Sequence, residues 1–143
     1  MSNTTMEDLV EFLFERLDEE EKSAQSATQG KWKVWAMEVV ADPKGNSDIE
    51  EAVSVCVASS TNPLHPRTGN AEHIAMWDPE RVLAECKAKR EMIQEWDDWK
   101  IYFRRNQVSN YHYGIRIGIE SALIMLVQVY SNHPDFQEEW KYL

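Results

Sequence analysis

Between Thr5 and Ala27 the apolar residues recur at spacings of three and four: Met6, Leu9, Val10, Leu13 and Leu17, continued weakly by Ala24 and Ala27. That spacing lays them along one face of a helix. Thr5 followed three residues later by Asp8 resembles a capping box at the helix start, with Asp in place of the usual Glu or Gln. Gly30 is expected to cap the other end. The opposite face carries Glu7, Asp8, Glu11, Glu15, Asp18, Glu19, Glu20 and Glu21 against Arg16 and Lys22, so it is strongly acidic.

The period then changes. KWKVWAMEVV and IEEAVSVCVASS are rich in Trp and Val, and the turn formers DPKGNSD lie between them, which predicts a β-hairpin. In the second run Val53, Val55 and Val57 alternate with Ser54, Cys56 and Ala58, as a half-covered sheet needs. A lone hairpin is marginal, so it must lie against a helix or gain a strand. TNPLHPRTGN, with two prolines and a glycine, reads as a loop.

A second helix is predicted from Asp78-Pro79, because Asp is a good N-cap and proline's missing N–H costs nothing at the first helical position. It runs to about Arg105. Val82, Cys86, Lys89 or Arg90, and Ile93 share one side, while Met92, Trp96, Trp99 and Phe103 make an aromatic stripe. After the polar break RRNQVSN, the segment YHYGIRIGIESALIMLVQVY is ambiguous: Ile115, Ile117 and Ile119 alternate like a strand, whereas Ser121 to Tyr130 read as a buried helix. A helix from Asn110 to Tyr130 is expected, with Gly114, Gly118 and Ala122 on one face allowing close backbone approach. Each helical glycine costs about 1 kcal/mol against alanine, so a packing reason is expected. In SNHPDFQEEWKYL, Pro134 opens a short helix anchored by Phe136 and Trp140.

These elements make a single α+β domain over 1–143, mostly helical. Three longer helices and a short C-terminal one pack with a β-hairpin. The length suffices to bury a core. With 25 acidic and 15 basic residues the net charge is −10, which argues against sequence-independent nucleic-acid binding. A solubilising surface or an acidic face for a basic partner both fit that charge. Cys56 and Cys86 are too few for a disulfide framework and lack metal spacing. MSNTTMEDLVEF has no secretory signature, and Ile115 to Tyr130 is short and carries Arg116 and Glu120. A soluble, cytoplasmic protein is expected, with no membrane and no direct nucleic-acid contact.

Chemistry-bearing residues are few. His73, Asp78 and His133 are the only candidates for acid–base or metal work, and they match no ligand spacing. Asp78 is already explained as a cap, and His73 as a residue that locks the loop before it. His65 and His112 read as isolated surface or loop residues. Cys86 lies within an amphipathic helix, where an inert buried thiol is the default. No nucleophile elbow, phosphate loop or dinucleotide fingerprint occurs. No cofactor and no metal are expected. Six tryptophans fill a core or make a partner-binding patch. Trp32 and Trp35, three apart on a strand, point to opposite faces.

"HIAMWDPERVLAECKAKREMI", the tail "HPDFQEEW" and the opening "MEDLVEFLFERLDEEE" resemble a family of small proteins of unknown function from actinobacteria and their phages. The resemblance covers roughly half the chain and leaves Thr28 to Gly69 unmatched. The family commonly has Arg-His where this chain has Met76-Trp77, so a shared histidine pair would be incomplete here. The resemblance implies an actinobacterial or phage setting and carries no activity.

The functional expectation is therefore a non-enzymatic, acidic protein-interaction module, a phage-encoded modulator or inhibitor of a host protein. Its binding residues are expected to be Glu11, Glu15, Asp18 and Glu19 on the first helix, and Trp96 and Trp99. A homodimer through Gly114, Gly118 and Ala122 is compatible with this. The alternatives are a nucleic-acid mimic that blocks a DNA-binding enzyme, and a small hydrolase or metal-dependent enzyme built on His73, Asp78 and His133.

Overall fold

Thr5 and Asp8 close the start of the first helix reciprocally. The Thr5 N–H donates to Asp8 Oδ2 at 2.9 Å, and the Asp8 N–H donates to Thr5 Oγ1 at 3.3 Å. This is the capping box the sequence predicts. The computed structural model describes residues 5–36, 38–42, 52–57 and 69–143. Its elements are α1 (Met6–Ser26), β1 (Lys31–Trp35), β2 (Glu38–Asp42), β3 (Val53–Val57), α2 (Asn70–Met76), α3 (Pro79–Arg105) and α4 (Asn110–Val127). Two 3₁₀ turns follow, Gln128–Tyr130 and Glu138–Tyr142. The fold is α+β and mostly helical, as expected. Two compact units divide the chain, Met1–Asp18 with Lys87–Leu143, and Glu19–Cys86.

In the first unit the apolar stripe of α1 is fully used. Leu9, Leu13 and Leu17 have no exposed surface, and Val10 and Phe12 are buried beside them. Each such side chain contributes on the order of 1.5–3 kcal/mol of transfer free energy, more than any propensity term in this helix. The tail packs on the same helix. The ring of Phe12 meets Tyr130, His133, Phe136 and Trp140 at centroid distances between 5.0 and 6.2 Å. Phe136 and Trp140 are anchors as predicted, but the helix is the 3₁₀ turn Glu138–Tyr142, which holds Trp140, follows Phe136 and does not start at Pro134.

Arg16, expected on the acidic face, is instead 5% exposed. Its guanidinium lies 4.8 Å from the Phe12 centroid, 2.7 Å from His133 Nδ1, and within 3.8 Å of the Asp135 carboxylate. The Asp135 N–H also points to His133 Nδ1 at 3.2 Å. Two donors aimed at one ring nitrogen place the imidazole proton on Nε2. Lys100 ties α3 to α1 within this unit: its Nζ lies 2.9 Å from Glu7 Oε1 and 4.2 Å from the Trp96 ring centroid. The Lys100 ammonium, first through its hydrogen bond, holds the Glu7 carboxyl below the usual carboxylate range.

In the second unit the sequence misplaces the turn. KWKVWAMEVV is not one strand but a hairpin of its own, with Trp35 paired to Glu38. The sheet has three antiparallel strands in the order β1-β2-β3, so the expected two-stranded hairpin is corrected to three strands. Ala36 in the tight turn takes φ +55°, a left-handed conformation that a β-carbon disfavours. No Asn-Gly signal advertised it. Most of the predicted turn DPKGNSD, its residues 43–48, lies outside the described residues, as do 61–68 of the loop TNPLHPRTGN with His65.

The central strand β2 is buried on both faces, at Val39, Val40, Ala41 and Asp42. Asp42 is reached by Lys33 Nζ at 2.9 Å. In β3 the expected alternation fails: a bulge shifts the register between Val39 and Val40, whose partners are Cys56 and Ser54, and Val53 is 49% exposed. Of the hairpin tryptophans, Trp32 is half-buried and Trp35 is 50% exposed. Gly30, with φ +102°, turns the chain into β1 and does not cap α1. That cap is the Gln29 amide, which donates to the carbonyls of Ala24, Gln25 and Ala27.

Asp78 organises this unit. It is 6% exposed, and its Oδ1 accepts the Arg81 N–H at 2.8 Å, which makes it the N-cap of α3. Its Oδ2 lies 3.4 Å from the Trp32 N–H on the sheet edge. His73, expected in a loop, sits on the short helix α2 and is exposed.

Three outcomes follow from this packing. Asp78→Ala should cost about 1–3 kcal/mol, because a cap and a buried edge N–H lose their acceptor together. Asp78→Asn, which keeps a carbonyl oxygen, should cost less, and an unfolding free energy from urea melts within about 0.3 kcal/mol of wild type for Asp78→Ala would contradict this role. Ala36→Gly should raise stability by about 1 kcal/mol by relieving the left-handed β-carbon; an unchanged or lower melting temperature refutes the strain. For Glu7, a lowered folded-state pKa means its stabilisation is present above the unfolded value and is lost as pH falls through the folded value. The melting-temperature gap between wild type and Glu7→Gln should therefore be open at neutral pH and close in acid. A gap that widens in acid would reverse the sign and the assignment.

Candidate functional site

The most developed surface feature of the first unit lies between α3 and α4. The four-residue connection 106–109 turns the chain back, and the contacts pair the helices antiparallel. Trp96 meets Glu120, while Phe103 meets Tyr113 and Arg116. Trp96 is 4% exposed, and its Nε1 lies 3.3 Å from Glu120 Oε1. The Arg116 Nε–H donates to the same oxygen at 2.8 Å. One carboxylate thus joins the helices and neutralises the cation beside it.

Outside that joint the two helices frame an open groove of about 450 Å³. From α3 it is lined by Ala88, Glu91, Met92 and Glu95, and from α4 by Ile115, Gly118, Ile119 and Ala122. Each set has the spacing i, i+3, i+4, i+7, the stripe one helix offers to another. Three of the eight are Ala or Gly. A β-carbon built on Gly118, or on Gly114 one turn away, would meet nothing within 4 Å. The expected close approach of another backbone is therefore corrected: the glycines border open space among the described residues.

One turn further along α3 a second hollow, of about 270 Å³, is lined by Glu95, Asp98, Trp99 and Tyr102. The rings of Trp99 and Tyr102 lie edge to face at 5.2 Å, and His112 stands against both. His112, expected as an isolated surface residue, is half-buried in the first turn of α4. Its Nδ1 accepts the Ser109 N–H at 3.1 Å, and its Nε2 lies 3.4 Å from the Tyr102 hydroxyl. Glu95 accepts the Trp99 indole N–H at 2.9 Å, and Asp98 accepts the Gln94 amide at 2.9 Å.

The remaining predicted residues fall as follows. Glu11, Glu15, Asp18 and Glu19 are exposed along α1. Asp18 pairs with Arg90 and Glu15 with Arg16, so cations interrupt the acidic row. Of the tryptophan pair, Trp96 is core and only Trp99, half-buried, reaches the surface. His133 belongs to the Arg16 cluster of the first unit, while His73 and Asp78 lie in the second. No group of three or more His, Cys, Asp or Glu side chains able to hold a metal occurs among the described residues. Both Asp78 oxygens face backbone N–H groups.

A hollow of about 580 Å³ beside Trp32, Met76 and Arg81 in the second unit is charged with both signs, by Lys31 and Arg81 and by Glu72 and Glu80. Sequence reading missed Glu91, Glu95, Asp98 and Tyr102, and it placed Met92 in an aromatic stripe without the groove it lines. The signal was present, since Ala88, Met92 and Glu95 continue a helical stripe beside Trp99, but small and acidic residues carry little hydrophobic periodicity.

Comparison with characterised proteins gave no match, and comparison with solved structures gave none either. The family described as "Family of unknown function (DUF6221)" matches residues 6–142, a span that includes Thr28 to Gly69. The chain belongs to that family, DUF6221.

Proposed function

We propose that this protein is a protein-interaction module that receives a helical segment of a partner in the α3–α4 groove. The observation that carries this is the paired stripe of small and apolar residues, Ala88 and Met92 facing Ile115, Gly118, Ile119 and Ala122, left open between two helices already locked by Glu120. Helix-in-groove recognition uses this spacing. Met125, one turn beyond Ala122, extends the apolar surface along α4 and is 72% exposed.

The setting is the cytoplasm of an actinobacterial host, where a phage-encoded copy would modulate or inhibit a host protein. Support for that setting is the resemblance of the central block and the tail. The nucleic-acid-mimic reading is weaker, because Arg16, Arg90 and Lys100 pair with acids on α1 and break any phosphate-like row. An enzyme built on His73, Asp78 and His133 is weaker still, since Asp78 and His133 are already engaged in packing contacts.

Ala122→Phe should fill the groove and leave the core intact, because Ala122 is only partly buried. With a photo-crosslinking residue at Met92, the full-length protein expressed in its host should yield one adduct of discrete mass. Ala122→Phe should reduce that adduct about tenfold while the melting temperature holds. An adduct indifferent to Ala122→Phe would remove the groove as the docking site.

A further inference from the structure

Resting on the groove reading, we propose that its occupant is an amphipathic helix whose apolar seam is flanked by arginine, with one guanidinium seated in the hollow lined by Glu95, Asp98, Trp99 and Tyr102. Every charged residue lining the groove and the hollow is a carboxylate: Glu91, Glu95 and Asp98. Among the described residues, Glu95 and Asp98 accept only neutral donors, an indole N–H and a side-chain amide. Glu91 has Lys87 at 4.0 Å, an exposed pair of little worth. The surface therefore presents uncompensated negative charge to whatever fills it, and a cationic flank supplies the complement.

The hollow sharpens the choice of cation. An edge-to-face aromatic pair with two carboxylates beside it offers a ring face for stacking and paired acceptors together. A planar guanidinium satisfies both at once, whereas an ammonium takes the charge without the stack. Glu95 lines the groove as well as the hollow, so a helix lying in the first delivers a flanking side chain to the second.

A second copy of this chain is the wrong occupant. Two copies meeting face to face would set Glu91 and Glu95 against their own kind, and the cation of α4, Arg116, is already held by Glu120. A lipid surface is the other candidate, since Asn110–Tyr130 is long and apolar enough by length and composition to enter a membrane. The carboxylates beside the groove oppose it.

Three synthetic helical peptides with the same leucine seam and Arg, Gln or Glu flanks would test this against the full-length protein. Fluorescence anisotropy gives the affinity, and the shift of the Trp99 indole N–H reports the hollow. The Arg peptide should bind at least about tenfold more tightly than the Gln peptide, and added salt should narrow that margin. The double variant Glu95→Gln/Asp98→Asn should erase the margin without abolishing binding of the Gln peptide. Ala122→Phe should abolish binding of all three. If the Gln and Arg peptides bind equally and Ala122→Phe blocks both, the arginine inference falls and the groove stands. If the Arg peptide ignores Ala122→Phe, or no peptide binds, both fall. A dimer in light scattering, or sedimentation with phosphatidylcholine vesicles, that Ala122→Phe abolishes would replace the proposed occupant.

Discussion

The surface of the first unit depends on Glu120. Its Oε1 takes the Trp96 indole N–H from α3 and the Arg116 Nε–H from its own helix. A half-buried carboxylate with a cation and a neutral donor costs little to desolvate compared with a lone one. The bond fixes which residues of α3 stand opposite which residues of α4. A slip of one residue on either helix would turn Ala88, Met92, Gly118 and Ala122 away from a common slot. The groove thus follows from this polar contact beside a buried indole, together with the ring contacts of Phe103 with Tyr113 and of His112 with Trp99 and Tyr102.

Asp78 does the same work in the second unit, by the same chemistry. One oxygen caps α3 and the other faces a sheet-edge N–H of Trp32. The Arg81 that follows donates to the Met76 carbonyl and lies 4.3 Å from the Trp77 centroid. Short helix, sheet edge and long helix therefore meet around a single carboxylate. A His and an Asp close in sequence suggest chemistry only until the hydrogen bonds of the Asp are assigned. Once both its oxygens face backbone, the pair has an architectural explanation.

What the sequence made legible follows from local physics. The helix starts at Thr5 and Asp78, the stripe of α1 and the extent of α4 are each set by contacts a few residues apart, and all were readable. The first hairpin was not, because Ala36 adopts a left-handed turn without the glycine or asparagine that signals one. Nor was the burial of Arg16, which depends on His133 and Asp135, more than a hundred residues away. Trp96 and Trp99 look alike in sequence, and only the packing of α4 separates the core indole from the surface one. The candidate site was half legible for the same reason: Trp99, Gly118 and Ala122 were visible singly, and their common surface needed the antiparallel pairing.

The distribution of charge argues that the acidity is not only for solubility. Along α1, several carboxylates find cations within the fold: Glu7 with Lys100, Glu15 with Arg16, Asp18 with Arg90. Along the outer side of α3, Glu95 and Asp98 find none among the described residues, although Arg104 and Arg105 end the same helix. Carboxylates beside the half-buried Trp99 and the exposed Tyr102 oppose non-specific association of the aromatic pair, and they also leave acceptors next to it. Acid and aromatic side chains together make sense where a cation is to be received. Under the proposed reading, the same residues that leave this face uncompensated in the isolated chain would be neutralised by an arginine-bearing helix, and its charge would then specify the partner.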